Sequence, residues 1–189
     1  MKTTAKQLGY DSNEELYFDW WVDELIEIGL VEKRIYHPKT FELSEPLKEP
    51  NGKMIIGGCS YTCDFLLKLN TKHKKIWKIF YPTFFGIPKI NLKYPIYYQS
   101  ICTKKEDEAQ SFSWIEIKPE IRNEKGHIVD PHNIIAMNAI KRKWVLQFDG
   151  VFVQMIKPVE LFRNTFYPIN YLALKRKTTG FKTIKVFFN

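Results

Sequence analysis

Two charged side chains in one apolar segment form the pattern with the clearest chemical meaning in this chain. Glu116 and Lys118 lie two residues apart in SFSWIEIKP. In a β-strand, residues two apart point to the same face, so this carboxylate and this ammonium project together while Ile115 and Ile117 face the opposite layer. A buried charge requires a partner, a metal ion or access to solvent. The segment therefore predicts a strand with a functional polar face.

A further acidic residue lies in another apolar segment. Asp64 is the one acidic residue of SYTCDFLLKL, and its neighbours Cys63 and Phe65 would face away from it in a strand. If the two strands lie side by side, Asp64 joins Glu116. Two carboxylates that converge with room for water suit Mg²⁺ or Mn²⁺, which prefer oxygen ligands. Such an ion polarises a phosphate and activates water, and Lys118 would orient that water and stabilise developing negative charge.

A first helix is predicted from Ser12 to about Gly29, because apolar residues recur there at three- and four-residue spacing. These residues are Tyr17, Trp21, Leu25 and Ile28. Ser12 and Glu15 match a capping box, and Gly29 is a natural stop for the helix. The capping box alone would account for the position of Glu15.

A second helix is predicted in HNIIAMNAIKRKWVLQF, starting at Pro131. Its apolar spacing involves Ile134, Met137, Ile140 and Trp144, and Trp144 is expected in the core. Two basic clusters are candidate contacts for phosphates, with a solvated surface as the alternative in each case. The first cluster, on this helix, is Lys141, Arg142 and Lys143, and the second is Lys175, Arg176 and Lys177.

The order of predicted elements is a helix, several strands, a helix and a strand, which indicates an α/β fold with a central mixed β-sheet flanked by helices. We expect a single domain over residues 1–189. CSYTCDFLLKLN is predicted as one buried strand. Residues from about 70 to about 110 are predicted as an insertion of loops and short strands between the two catalytic strands. A basic tail at about 172–189 would end in an edge strand, KTIKVFFN.

Composition restricts the class of partner. A formal net charge of +8 favours a polyanion, because lysine and arginine release condensed counterions when they neutralise phosphates. The sequence has no apolar run of membrane-spanning length and no signal-peptide pattern, so we expect a cytoplasmic protein without a membrane partner. Cys59, Cys63 and Cys102 are expected to be reduced. With His73 they could supply four zinc ligands, but the spacing C-x3-C favours buried thiols.

The chain resembles the PD-(D/E)xK nuclease superfamily over about residues 12–170. Asp64 followed by Glu116-Ile117-Lys118 is similar to its D…ExK signature, with Cys63 in place of the proline. The sequence SNEELYF fits the S-x-x-E-x-x-F pattern of the transposon (TnsA-like) and phage-type branch. IKRKW, the following glycine-led strand and LFRNTFYP resemble segments of phage-associated members. The resemblance implies a restriction-endonuclease-like core with an insertion, and a Mg²⁺- or Mn²⁺-dependent endonuclease that cleaves DNA.

In that assignment Asp64 and Glu116 are metal ligands, and Lys118 is the catalytic residue that orients water. The superfamily commonly carries a glutamate in its first helix, so the resemblance implies Glu15 as an additional metal ligand, with Glu14 as the alternative in the same turn. The resemblance further implies a role in processing phage or mobile-element DNA. A homodimer would supply the two sites needed to cut both strands. The alternative from another class is a non-catalytic protein that binds nucleic acid, or serves in assembly, on a nuclease-like fold.

Overall fold

The computed structural model describes residues 5–83, 94–101, 110–119, 134–177 and 179–189. Two short 3-10 helices cover Ala5–Leu8 and Ile76–Lys78. The α-helices, in chain order, are α1 (Asn13–Glu27), α2 (Ile134–Asp149), α3 (Pro158–Asn164), α4 (Ile169–Lys175) and α5 (Ile184–Phe188). The strands are β1 (Val31–Tyr36), β2 (Thr40–Ser44), β3 (Leu47–Lys48), β4 (Met54–Ile56), β5 (Cys59–Thr62), β6 (Phe65–Leu69), β7 (Phe80–Pro82), β8 (Ile96–Ile101), β9 (Gln110–Ile117) and β10 (Val153–Ile156).

The central sheet has the strand order β1-β6-β9-β8-β7, with β10 also paired to β9. The pairs β1–β6, β6–β9 and β8–β9 are antiparallel, whereas β10–β9 and β7–β8 are parallel. Helices pack against this sheet. The predicted α/β class with a mixed sheet flanked by helices is therefore confirmed.

Strands β8 and β10 lie end to end along the same edge of β9. β8 pairs with the first residues of β9, and β10 pairs with its last four. Two glutamine side chains bridge the junction: Gln154 accepts from the backbone N–H of Tyr97, and Gln99 accepts from that of Phe152, each at 2.8 Å. These amides satisfy backbone groups that lack a ladder partner at the junction of the two strands.

The two faces of the sheet bury two separate hydrophobic clusters. The larger cluster lies between the sheet and α1, α3, α4 and α5, and it contains Ile115 and Ile117 of β9. The smaller cluster joins β2, β5 and β10 to Val145 of α2, and Trp114 packs against it. Alternation along β9 therefore places its two isoleucines on one face, as predicted, and leaves the opposite face for Glu116.

Helix α1 confirms the predicted boundaries and their causes. Ser12 is the N-cap, and its hydroxyl accepts from the backbone N–H of Glu15 at 3.2 Å. Gly29 follows the helix with φ +78°, a conformation that side-chain-bearing residues rarely adopt. Trp21 and Leu25 are fully buried in the larger cluster. The apolar stripe therefore docks α1 onto the sheet.

The prediction of one strand over CSYTCDFLLKLN is wrong, because this segment forms β5 and β6 with a break at Cys63 and Asp64. Tyr61 and Cys63 belong to the smaller cluster, whereas Phe65 belongs to the larger one. A regular strand would put these three odd-numbered residues on one face. The break lets β5 pair with β2 while β6 enters the central sheet.

Two further predictions of secondary structure are corrected by tertiary packing. The segment interpreted as an insertion supplies β7 and β8 to the central sheet itself. Residues 84–93 and 102–109 of that segment lie outside the described residues. At the chain's end, α5 replaces the predicted edge strand, because Ile184 and Phe188, four residues apart, both insert into the larger cluster.

Helix α2 is present, but the prediction that Trp144 lies in the core is wrong. Met137, Ile140 and Trp144 are 54%, 47% and 39% exposed, whereas Val145 is fully buried. The helix packs on β2 and β10 through the small cluster, so its buried face is narrow. The predicted start at Pro131 lies outside the described residues.

We expect Ser12→Ala to lower the free energy of unfolding by about 1 kcal/mol, because it removes the N-cap of α1. Ser12→Thr retains a hydroxyl acceptor and should stay close to wild type. Urea denaturation followed by circular dichroism measures both variants. Equal destabilisation by alanine and threonine would contradict the capping role.

Candidate functional site

Asp64 and Glu116 meet because β6 and β9 are hydrogen-bonded neighbours, which fulfils the condition on which their proximity depended. Phe65 lies opposite Ile115, so Asp64 extends the ladder toward Glu116. The backbone N–H of Asp64 donates to Ile115 O at 3.1 Å. The backbone N–H of Ile117 donates to Asp64 Oδ2 at 2.5 Å, which fixes the carboxylate at the end of the strand.

Glu116 is held by three donors from three parts of the chain. The Tyr61 hydroxyl donates to its Oε2 at 2.8 Å, and Asn138 Nδ2 of α2 donates to Oε1 at 3.3 Å. Lys118 Nζ lies 2.5 Å from the same Oε1. Only 3% of Glu116 is exposed, and these partners offset the cost of burying its charge.

Lys118 completes the group that the sequence predicted. Its backbone N–H donates to Ile156 O at 3.0 Å, so pairing with β10 continues just past the end of β9. Its side chain is 19% exposed, which leaves the ammonium accessible to a ligand. The structure thus brings Asp64, Glu116 and Lys118 together at one end of the sheet.

The surroundings of Asp64 strongly shift the pKa of its carboxyl group. Burial raises its pKa from 3.8 to about 7, and the nearby charges of Glu116 and Glu15 act in the same direction. The Ile117 N–H and Lys118 oppose this shift. Burial, followed by the charge of Glu116, also raises the pKa of Tyr61, which therefore remains a proton donor at neutral pH. A cation beside Asp64 would favour its ionised form.

Glu15 reaches this region from the first turn of α1. It is 6% exposed, and it accepts from the Ser12 hydroxyl at 2.8 Å, the Tyr36 hydroxyl at 2.6 Å and the Asp11 N–H at 3.0 Å. The charge of Glu15 contributes to the raised pKa of Asp64, whereas the charge of Glu14 contributes to the raised pKa of Tyr17. The geometry therefore favours Glu15 over Glu14 as the helix residue of the site, while the capping box also accounts for its place.

Two residues that the sequence did not single out extend the group. One ligand atom each from Asp11, Glu15 and His37 lies within 4.8 Å of the others, so these three side chains could hold a metal ion. His37 Nε2 lies 3.7 Å from Asp11 Oδ2 and 4.0 Å from Asp64 Oδ1. His37 is positioned by its backbone N–H, which donates to Asp64 O at 2.9 Å. Only the β1–β6 pairing reveals this proximity.

The two predicted basic clusters differ in how many of their side chains are exposed. Lys141 and Arg142 donate to the backbone carbonyls of Ser60 and Val153 at 3.0 and 3.1 Å. Lys143 is exposed, as are the three residues of the second cluster, Lys175, Arg176 and Lys177. Lys175 also lies over the Tyr171 ring, 5.6 Å from its centroid.

The described cysteines fit the interpretation as core residues. Cys63 is fully buried, and burial raises the pKa of its thiol to about 12, so it stays protonated. Cys59 is partly buried and packs against the smaller cluster. Cys102 lies outside the described residues.

Compared with models of known protein families, with curated proteins and with solved structures, the chain matches none of them. None of the helices in the described part of the chain combines the length and apolar character that crossing a lipid bilayer requires.

We expect Asp64→Asn to become increasingly more stable than wild type as the pH rises from about 4 to about 8. Below about pH 4 the carboxyl is protonated in both the folded and the unfolded chain. As the pH rises, the unfolded chain releases this proton first, so wild type loses stability until Asp64 ionises in the fold near pH 7. Asparagine stays neutral and still offers an acceptor oxygen to Ile117. The difference should reach roughly a few kcal/mol.

Urea denaturation at several pH values, with EDTA present to remove cations, measures this difference. Glu42→Gln, at an exposed position of β2, serves as the control, and its difference in stability from wild type should change little with pH. A constant difference between Asp64→Asn and wild type across the range would contradict the raised pKa of Asp64.

Proposed function

We propose that this chain is a Mg²⁺- or Mn²⁺-dependent endonuclease that hydrolyses phosphodiester bonds of DNA on a restriction-endonuclease-like core. The observation that carries the proposal is the convergence of Asp64, Glu116 and Lys118 at the ends of two paired strands. The sequence resemblance to the PD-(D/E)xK nucleases supports it, as does the net charge of +8.

The residues present fit a hard divalent cation. Asp64 and Glu116 would hold it through carboxylate oxygens, and Glu15 would add a third carboxylate. Asp64 is buried with a raised pKa, so it lacks sufficient compensation for its negative charge within the protein. When bound, the cation would polarise the scissile phosphate and make water more acidic.

The remaining groups act on orientation and charge. Lys118 is an ammonium paired with Glu116, which suits it to orient the attacking water and to stabilise charge that develops on the phosphate. Tyr61 and Asn138 hold Glu116 in place, so they are positioning residues. Lys143, exposed on the helix that supplies Asn138, would contact the DNA backbone, and the cluster at Lys175, Arg176 and Lys177 would add charge.

The resemblance supports further parts of the proposal. A cytoplasmic enzyme that processes phage or mobile-element DNA would encounter duplex substrates. A homodimer would place one site on each strand of such a duplex.

Purified wild type should cleave plasmid, single-stranded or branched DNA in the presence of Mg²⁺ or Mn²⁺. Cleavage should stop when EDTA is added. We expect Asp64→Ala and Lys118→Ala each to reduce the cleavage rate by roughly 100-fold or more, because the first removes a ligand of the proposed cation and the second removes a positive charge that would stabilise the transition state. Gel electrophoresis of the products measures these rates.

Lys68→Ala is the matched control, because Lys68 also lies in an apolar strand but pairs with Glu32 at 3.2 Å. Its cleavage rate should stay within about twofold of wild type. Cleavage that survives in Asp64→Ala and Lys118→Ala would overturn the assignment. Salt-dependent DNA binding with neither cleavage nor divalent-cation binding would favour the non-catalytic alternative.

A further inference from the structure

Two segments of the chain contain no acidic residue, and the fold places them side by side. Residues 65–83 and 161–189 lack Asp and Glu but contain several lysines. The Lys78 ammonium donates to Phe187 O of α5 at 3.1 Å, and it lies 5.8 Å from the centroid of the Phe188 ring. Lys75 lies over the same ring at 5.9 Å. A surface rich in positive charge is therefore assembled from two distant parts of the sequence.

The backbone of residues 73–79 gives this surface a regular arrangement. The backbone N–H of Ile76 donates to His73 O, and that of Ile79 donates to Ile76 O, so each hydrogen bond joins residues three apart. In this 3-10 geometry side chains three apart lie on the same side. Ile76 and Ile79 are fully buried, so the two other sides face outward. Lys75 and Lys78 point toward α5, since both lie over the Phe188 ring, and Lys74 and Trp77 are exposed next to them in the sequence.

Three lysines of this surface keep a charge that no described carboxylate neutralises. Among the described residues no carboxylate forms an ion pair with Lys74, Lys75 or Lys78. All three are exposed, as are Lys182 and Lys185. A surface cavity of about 450 Å³ lies beside Lys74 and Lys75, and its lining is formed by Asn70, Lys72, His73, Lys74 and Lys75. A phosphate group would fit the charge of this cavity.

Trp77 adds an apolar contact to the charge. It is 50% exposed, although indole is among the most favourable side chains to bury. The Tyr81 hydroxyl donates to Trp77 O at 2.6 Å, and the two rings meet edge to face with centroids 5.9 Å apart. These contacts hold the indole on the surface next to the lysines, where a flat ring could stack on it.

From this arrangement we infer that the surface formed by residues 72–78 and α5 binds single-stranded nucleic acid. Lys74, Lys75 and Lys185 contact phosphates, and Trp77 stacks on an unpaired base. In a duplex the faces of the bases are covered by their neighbours, so the exposed indole selects a single strand. The surface lies beyond the end of β6 opposite to Asp64, about 17 Å along the strand, and its binding does not depend on the proposed cleavage.

The test measures binding by fluorescence anisotropy of labelled 12-residue oligo(dT) and oligo(U), with EDTA present so that no cleavage competes. A 12-base-pair duplex is measured in parallel. We expect Trp77→Ala to weaken binding of the single strand by about 5- to 100-fold, while Trp77→Phe, which keeps an aromatic face, stays within about threefold. Binding of the duplex should be weaker and should not depend on Trp77. The two oligonucleotides show whether the strand is DNA or RNA.

The contribution of charge is tested with a matched pair of double variants. Lys74→Ala/Lys75→Ala should reduce the slope of log affinity against log salt by about 1.4, because each phosphate that is no longer neutralised lowers the slope by about 0.7. Lys48→Ala/Lys53→Ala removes the same charge from the exposed hairpin of β3 and β4 and should leave the slope unchanged. Circular dichroism checks that every variant is folded.

Several outcomes would overturn the inference. These are equal affinity of wild type and Trp77→Ala for the single strand, an equal decrease of the salt slope in both lysine double variants, and tighter binding to the duplex. Trp77-dependent binding to vesicles of anionic lipid without binding to either oligonucleotide would also overturn it and would identify a membrane surface as the ligand. A lack of cleavage by wild type, or cleavage that survives in Asp64→Ala, would overturn the proposed function but would not affect these results, because the readout is binding.

Discussion

Where β6 pairs with β9, Phe65 lies opposite Ile115, and this register decides which side chains meet at the end of the sheet. Phe65, Ile115 and Ile117 face the larger cluster, whereas Asp64 and Glu116 lie outside it. A slip of β9 by one residue would turn Glu116 toward that cluster and the two isoleucines away from it. Burial of the larger cluster thus holds the candidate site together.

Burying the carboxylates of the site lowers the stability of the fold, and Asp64 is less well compensated than Glu116. Glu116 has donors from Tyr61, Asn138 and Lys118. Asp64 has the Ile117 N–H and stands among other acidic groups, which together with burial raise its pKa to about 7. Functional sites commonly accept such a cost, because a ligand then supplies the missing compensation. We propose a divalent cation as that ligand.

The helices on the larger cluster have a second consequence at the opposite end of β6. Ile184 and Phe188 bury one side of α5, and this places Lys185 beside Lys75, which follows β6. The same core therefore supports an acidic group at one end of the strand and a basic surface at the other. A chain that handles nucleic acid could use the first for a cation and the second for the strand itself.

Local sequence patterns were sufficient to predict features that depend on the side-chain periodicity or the ends of a single helix or strand. The alternation in WIEIKP put Glu116 and Lys118 on one face, and the capping box with Gly29 defined α1, because both follow from backbone geometry within a few residues. The mixed α/β sheet also followed from the order of the elements. These signals are carried by neighbours in sequence, so a single chain is enough to detect them.

Tertiary structure alone decided which distant residues meet. The break between β5 and β6 depends on two clusters on opposite faces, and α5 is a helix because its apolar pair finds a place in the larger one. His37, Tyr61 and Asn138 reach the carboxylates through strand pairing and helix packing, and no local pattern distinguishes them from ordinary surface or core residues. Long-range contacts fix these positions, because packing and register are properties of the whole fold.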